Sequence, residues 1–273
     1  MSGAESSGAQ APGAGRVRHV VEAGIARVVF DRAAARNAFT FAMYEELHDV
    51  CDALEADASV RVVVFSGAGG RAFAAGTDIA AFREVRTPED ALAYEDRIER
   101  VLGRLESLSK PTIAMIAGAC TGGGAAIAAC CDLRVAEAGA RIGFPIARTL
   151  GNCLSVRNLA RLAALVGAAT VKEMIFTARL LPAPEALAKG FLTEVAPDPA
   201  ALEARVAELS ATIATHAPLT LAATKRGLAL AAAGAQGGGS EADALVVDCY
   251  TSADFREGME AFLAKRPPRW QGR

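Results

Sequence analysis

Hydrophobic positions along the chain recur with two periods, and the first half of the chain uses both. Val17 to Val21 and Ala26 to Phe30 are β-rich runs joined near Ala23-Gly24, and they predict a hairpin. Thr40 stands before a stretch in which Met43, Leu47, Val50, Cys51 and Leu54 recur at helical spacing, which predicts an amphipathic helix opened by a capping threonine. Val62 to Phe65 is a short unbroken apolar run, the pattern of a strand covered on both faces. Thr87-Pro88-Glu89-Asp90 combines a capping residue, proline at the first helical position and acids in the first turn. A helix is predicted from there to about Leu108, stopped by Lys110-Pro111. Thr112 to Ala117 repeats the buried-strand pattern, Ala125 to Cys131 reads as a buried helix and Asp132 to Ala136 as the next strand. Strand, helix, strand in alternation predicts an α/β arrangement with parallel strands.

Beyond Ala140 the pattern is mostly helical. Pro182 and Pro184 punctuate it, Leu202 to His216 and Leu219 to Ala233 have helical period, and a Gly-rich loop spans Gly234 to Gly239. One last helix is predicted over about Glu241 to Lys265, ended by Pro267-Pro268. No internal repeat and no long linker interrupts the chain.

Composition narrows the function classes. At 273 residues, 52% of them hydrophobic, the chain can bury a large core in one or two domains. Lys plus Arg number 29 and Asp plus Glu 31, a net charge of −2, which argues against a nucleic-acid-binding surface. No apolar run of about 18 residues predicts a membrane-spanning helix. Residues 1–15 are rich in Gly, Ala and Ser and lack a basic start and an apolar segment, so they read as a flexible tail and not as a signal peptide. The six cysteines, Cys51, Cys120, Cys130, Cys131, Cys153 and Cys249, form no C-x-x-C pair; buried free thiols in a reducing cytoplasm are expected, with no metal site.

Two glycine-containing segments carry candidate chemistry. One is Ala74 to Asp78, after a buried strand; the other is Gly122-Gly123-Gly124, where a loop feeds a buried helix. Glycine lets a backbone approach a ligand closely, and amides at a helix N-terminus are unpaired and partly positive. One amide from each segment, converging on a carbonyl oxygen, would form an oxyanion hole. The triplet also admits a plainer reading, tight packing of helix on strand. Gly67-Ala68-Gly69-Gly70 lacks the full dinucleotide fingerprint, and neither a P-loop nor a G-x-S-x-G elbow occurs.

Together these segments resemble the crotonase superfamily, also called the enoyl-CoA hydratase/isomerase family. Asp31-Arg32 with Arg36-Asn37-Ala38-Phe39 is similar to an early family stretch, with Ala33 where proline is usual. Arg71 to Ile79 is similar to K-A-F-x-A-G-x-D-[IL], and Lys110 to Ala114 through Gly118, Gly122 to Gly124 and Cys131-Asp132 to a second family pattern. Gly190-Phe191-Leu192, Val195, Asp254, Glu257-Gly258, Ala261 to Leu263, Lys265-Arg266 and Trp270 match the C-terminal signature. The resemblance implies an α/β fold, a crotonase-like β-β-α spiral core over residues 16–200 carrying the CoA site, and a C-terminal α-helical oligomerisation region over 201–273. It implies an acyl-CoA thioester substrate, no separate cofactor, and a homotrimer or dimer of trimers. By the same carry-over the amides of Thr77 and Gly123 hold the thioester oxygen, and Ala75, Gly76, Asp78 and Gly122 belong to the binding loops, with Ala75 near the adenine. Phe262 and Lys265 reach the CoA of a neighbouring subunit, and Asp78 bonds its own loop.

The sequence departs from the family where proton transfer is done. The two positions at which the family's hydratases carry glutamates hold Ala126 and Ile146. Hydration needs a base for water and an acid for the α-carbon, so the usual route to it is not expected. The stretch Ile146 to Cys153 offers Arg148, Asn152 and Cys153 as residues that could point into the acyl pocket. Arg148 there would pair with a substrate carboxylate and fit a malonyl-type thioester. Glu95, Asp96 and Glu99 are alternative acids on the helix after the first loop, where a solvated helix face is the competing reading. Three functions follow: an enoyl-CoA hydratase/isomerase-type lyase or isomerase, a decarboxylase or thioesterase, and a non-catalytic thioester binder.

Overall fold

The computed structural model describes residues 15–234 and 239–273; most of the expected N-terminal tail and of the loop Gly234 to Gly239 lies outside them. The hairpin pairs β1 (Arg16–Glu22) with β2 (Ile25–Asp31) in antiparallel register from Arg16↔Asp31 to Glu22↔Ile25. Its two-residue turn has positive φ at both Ala23 and Gly24, the backbone twist that suits a tight hairpin. Ala26, Val28 and Phe30 alternate inward and meet the buried face of α1 (Phe41–Ala56), whose N-terminus is capped by Thr40 Oγ1 accepting from Met43 N at 3.2 Å.

A repeating unit then builds the core. β3 (Val62–Gly67) is followed by the short β4 (Ala72–Ala74) and by α2 (Pro88–Glu106). β5 (Thr112–Ile116) is followed by β6 (Ala119–Thr121) and α3 (Gly123–Cys130). β7 (Leu133–Glu137) is followed by β8 (Arg141–Gly143), the single turn α4 (Ile146–Thr149) and α5 (Val156–Thr177), which is broken at the non-helical Gly167. After β9 (Leu181–Pro182) and α6 (Ala183–Ala188) comes β10 (Glu194–Ala196). The long strands form one sheet in the order β1-β2-β3-β5-β7-β10, parallel from β2 onward, and the short ones form a second, β4-β6-β8-β9. This is the β-β-α spiral expected from the sequence, each turn contributing one strand to each sheet and one helix.

The first sheet is covered on both faces, and adjacent residues of one strand serve different cores. Val63 and Phe65 join the main core with α1, α2 and α3, whereas Val62 and Val64 join Ile113, Val135, Leu202 and Val206 beneath α7 (Pro199–Ala214). That double burial is why β3 reads as an unbroken apolar run. The α2 start is a reciprocal capping box: Thr87 Oγ1 accepts from Asp90 N at 3.1 Å and Asp90 Oδ2 from Thr87 N at 2.9 Å.

The C-terminal helices are α8 (Pro218–Ala232), α9 (Ser240–Tyr250) and α10 (Ala253–Leu263). The single last helix expected over Glu241 to Lys265 is therefore two. Ser252 interrupts it: its hydroxyl accepts from Phe255 N at 2.9 Å and caps a new helix. Both halves keep helical period, so the hydrophobic pattern hides the break. The tail folds back on α10, where buried Asp254 accepts from Gln271 N at 2.6 Å and Gly272 N at 2.8 Å. No helix among the described residues is long and apolar enough to cross a membrane.

One buried polar side chain ties the hairpin to the second sheet. Asn37 is fully buried; its Oδ1 accepts from Arg32 N at 3.0 Å, and its Nδ2 donates to Ala68 O at 3.0 Å and Ala72 O at 2.8 Å. Its φ of +57° suits asparagine better than most side chains. Asn37→Ala strands these three groups and should cost about 2–3 kcal/mol of unfolding free energy. Denaturant titration should show the lower midpoint, and an unchanged midpoint would refute the role given to this side chain.

Candidate active site

Beyond β4 the chain turns through Ala75-Gly76-Thr77-Asp78, and the segment Arg36 to Phe39 grips this turn. Ala75 N donates to Arg36 O at 3.0 Å, Phe39 N to Gly76 O at 2.8 Å and Asp78 N to Phe39 O at 2.8 Å. Gly76 has φ +107°, a conformation L side chains rarely adopt. Asp78 Oδ1 accepts from Ala80 N at 2.9 Å, and Oδ2 pairs with Arg32 at 2.7 Å. The Ala80 amide first, and then the Arg32 guanidinium, hold this carboxyl below the usual carboxylate range. Asp78 thus works within its own loop and does not line the cleft described below.

The three glycines at the start of α3 sit in three different settings. Gly122 takes φ +52° and ψ −122°, and its N–H donates to Gly143 O at 2.9 Å, anchoring the loop to β8. A Cβ at Gly124 would meet Ala74 O at 2.2 Å, so this position sets how closely α3 packs on β4. A Cβ at Gly123 would lie 2.3 Å from the Tyr44 hydroxyl and 3.5 Å from Thr77 N. The packing reading of the triplet holds at Gly124. Gly123, whose amide opens its helix, packs against Thr77, whose own amide lies in the neighbouring loop. Among the described residues no protein acceptor takes either of these two amides, whereas those of Ala75 and Asp78 are both engaged.

Both amides border a cleft of about 220 Å³. Ala75, Gly76, Thr77, Gly122 and Gly123 line it, as do Ala126 and Ile146, which contribute apolar wall. Tyr44 from α1 and Tyr94 and Glu95 from α2 line it as well. The Tyr44 hydroxyl lies 2.9 Å from Thr77 Oγ1, and the Tyr94 hydroxyl donates to the same atom at 3.5 Å. Burial raises both phenols above their ordinary range, so both stay neutral. Glu95 is half-buried, and burial, followed by the nearby Glu99 carboxylate, pushes its pKa up.

Several predicted residues lie elsewhere. Arg148 sits on the exposed side of α4 and does not line the cleft, because the single turn that brings Ile146 inward carries Arg148 out; the expectation that it faces the acyl pocket is corrected. Asn152 and Cys153 from the same stretch do line it. Asp96 is exposed, and Glu99 is paired with Arg161, 2.9 Å away. Phe262 lines a separate groove among the C-terminal helices, and Lys265 is exposed at a left-handed turn after α10, so neither lines the cleft of its own chain. Cys51, Cys120, Cys130 and Cys131 are buried free thiols, with burial pushing Cys51 and Cys130 up to about 12, but Cys153 is exposed and Cys249 half-buried. Sequence reasoning missed Tyr44 and Tyr94 altogether. Glu95 carried a usable signal: it shares a stripe with buried Ile98 and Leu102, three and seven residues on.

Comparison with known proteins gives one consistent answer. The family described as enoyl-CoA hydratase/isomerase matches residues 20–273. The chain is similar to a short-chain-enoyl-CoA hydratase of Clostridium acetobutylicum, 34% identical over 90% of this chain and 93% of that one. It is also similar to a 2,3-dehydroadipyl-CoA hydratase of Escherichia coli, 32% identical over 90% and 94%. The crystal structure of an enoyl-CoA hydratase/isomerase family protein from Hyphomonas neptunium superposes with a TM-score of 0.89 at 33% identity, over 94% of this chain and 98% of the other.

The division of labour in the glycine triplet is testable by thermal unfolding and ligand binding. Gly124→Ala should lower the melting temperature, since its Cβ meets main chain, while Gly139→Ala, whose Cβ has 3.6 Å to its nearest neighbour, should not. Gly123→Ala should displace Tyr44 or Thr77 and weaken ligand binding at the cleft. Equal melting temperatures for the Gly124 and Gly139 variants would contradict the packing role.

Proposed function

The chain belongs to the enoyl-CoA hydratase/isomerase family, and on that premise we propose that it processes an acyl-CoA thioester through an enolate held by the main-chain amides of Thr77 and Gly123. The observation that supports this reading is that Thr77 and Gly123, from separate turns of the spiral, line one cleft beside each other, and among the described residues neither amide has a protein acceptor. Donors placed for a developing oxyanion in a low-dielectric site are worth about 2.7–4 kcal/mol each. Gly123 adds the partial positive charge of a helix N-terminus. Coenzyme A enters as part of the substrate, so no separate cofactor is invoked. The six free cysteines support a reducing compartment such as the cytoplasm.

The walls of the cleft weigh on which enolate reaction is run. Ala126 and Ile146 occupy the positions of the family's two glutamates, and neither moves a proton. Hydration by the two-carboxylate route therefore has no support here. The malonyl-type decarboxylase alternative needs a cation to hold the substrate carboxylate, and no Lys, Arg or His is among the described cleft-lining residues. A single thioester panel separates the readings. Enolate chemistry predicts loss of the enoyl absorbance of crotonyl-CoA or migration of its double bond. Release of CO₂ or free thiol from malonyl-CoA would favour the alternative, and tight binding without turnover would favour a non-catalytic binder. Arg148→Met should leave turnover unchanged. An acyl-CoA complex should place the thioester oxygen about 2.7–3.1 Å from both nitrogens, and an oxygen distant from either would end the proposal.

The C-terminal helices support assembly as a trimer or dimer of trimers. Val246, Tyr250, Met259 and Phe262 are exposed along a groove of about 960 Å³, and Leu228 and Val247 are exposed on the same helices. An apolar surface of that extent is unusual on a monomer and is covered by association. Light scattering should give three or six times the mass of one chain. Val246→Asp should shift the protein to smaller species, and a monomeric wild-type protein would refute the assembly.

A further inference from the structure

We infer that Glu95 is the proton-transfer group of this cleft, removing a proton from the α-carbon of the bound thioester and delivering it back to carbon. This inference rests on the enolate reading above and adds the residue that makes and consumes the enolate. Among the described residues lining the cleft, Glu95 is the only carboxylate. No hydrogen bond or ion pair holds its oxygens among the described residues, although it is half-buried. Three acids near it in the fold are engaged, and Asp96 beside it is exposed. Glu99 is held by Arg161 at 2.9 Å and Arg157 at 3.5 Å, Glu45 pairs with Arg97 and Arg100, and Asp90 closes the capping box. A carboxylate drawn out of water without a partner is costly, so an unpaired one lining the same cleft as the Thr77 and Gly123 amides is placed to act on something bound there.

The step balances with no further reactant. The α-carbon C–H bond breaks and its proton goes to the Glu95 carboxylate. The electron pair left behind forms the C=C–O⁻ of the enolate, whose oxygen rests on the Thr77 and Gly123 amides. Return of the proton to the α-carbon gives exchange, and its return to the γ-carbon of an enoyl group shifts the double bond. One carboxylate suffices for both directions, which suits a cleft whose other two candidate positions are Ala126 and Ile146. The groups around Glu95 are Tyr44 from α1, Tyr94 and Glu99 from α2, Arg157 and Arg161 from α5 through Glu99, and Cys153 from the loop before α5. Burial and the Glu99 charge raise its proton affinity above that of a free carboxylate, toward the range useful for a base near neutral pH.

The test uses the intact protein and butyryl-CoA in D₂O, with deuterium at the α-carbon read by mass spectrometry and affinity read by calorimetry. Glu95→Gln should reduce exchange about 10²–10⁴-fold while binding butyryl-CoA as the wild type does, which also certifies its fold. Glu95→Asp should recover part of the rate, and exposed Asp96→Asn should behave as wild type. The wild-type rate should rise with pH as the carboxyl ionises, with a midpoint above the ordinary glutamate value, and this limb should vanish in Glu95→Gln. Exchange that persists undiminished in Glu95→Gln overturns the assignment of Glu95 alone. A wild-type protein that binds butyryl-CoA but exchanges no α-proton overturns the enolate reading itself.

Discussion

A Cβ at Gly124 would stand 2.2 Å from the carbonyl oxygen of Ala74, so α3 rests on β4 only because that position has no side chain. That contact fixes the distance between two successive turns of the spiral. With α3 seated on β4, the first residue of the helix, Gly123, arrives beside the residue three places past Ala74, Thr77. Neither amide can be used by its own turn: the first N–H groups of a helix have no intrahelical partner, and the loop around Thr77 is committed to the strand-like grip of Arg36 to Phe39. Asn37 secures that grip from the other side by holding Arg32, Ala68 and Ala72 at once. The pair of free amides is therefore a consequence of close backbone packing, and a side chain at either glycine would disturb packing and site together.

The surroundings of the amides reinforce them. Ala126 and Ile146 give the cleft apolar walls, and interactions with fixed dipoles strengthen where water and mobile charge are excluded. The Thr77 side chain is held by the Tyr44 hydroxyl and, more loosely, by that of Tyr94, and both phenols are kept neutral by burial. On the proposed enolate reading, a negative charge forming at the amides would meet neutral phenols and no competing phenolate.

Much of the fold was legible because local chemistry and tertiary burial agree. Thr40, Thr87-Pro88 and the apolar runs at Val62 and Thr112 each announce an element that the structure contains. The second sheet was not legible: β4, β6, β8 and β9 are two or three residues long, too short to show a period, and they exist because neighbouring turns of the spiral pair them. The break at Ser252 was hidden because both flanking helices keep the same hydrophobic spacing. At the site, the two segments that line the cleft were readable from glycine placement, since glycine marks where main chain is exposed. Side-chain contributors were not. Arg148 points outward from a turn of four residues whose orientation no sequence pattern sets, and Tyr44 and Tyr94 look like ordinary core aromatics.

Glu95 shows how a helix face can serve stability and chemistry at once. It lies one turn from Glu99 on α2, and two carboxylates at that spacing repel one another. Arg161 of α5 takes up Glu99 and Glu106 together, so the repulsion on Glu95 is moderated from a different turn of the spiral. Moderated is not removed: Glu99 still raises the proton affinity of Glu95, as does burial. A partner placed directly on Glu95 would have stabilised the helix and lowered that affinity, leaving a weaker base. On α2, Glu99 and Glu106 are thus paired from α5, while Glu95, which lines the cleft, has no ion pair among the described residues. That selectivity is a property of the rotation of α2 about its axis, which the buried stripe of Ile98, Leu102 and Leu105 sets.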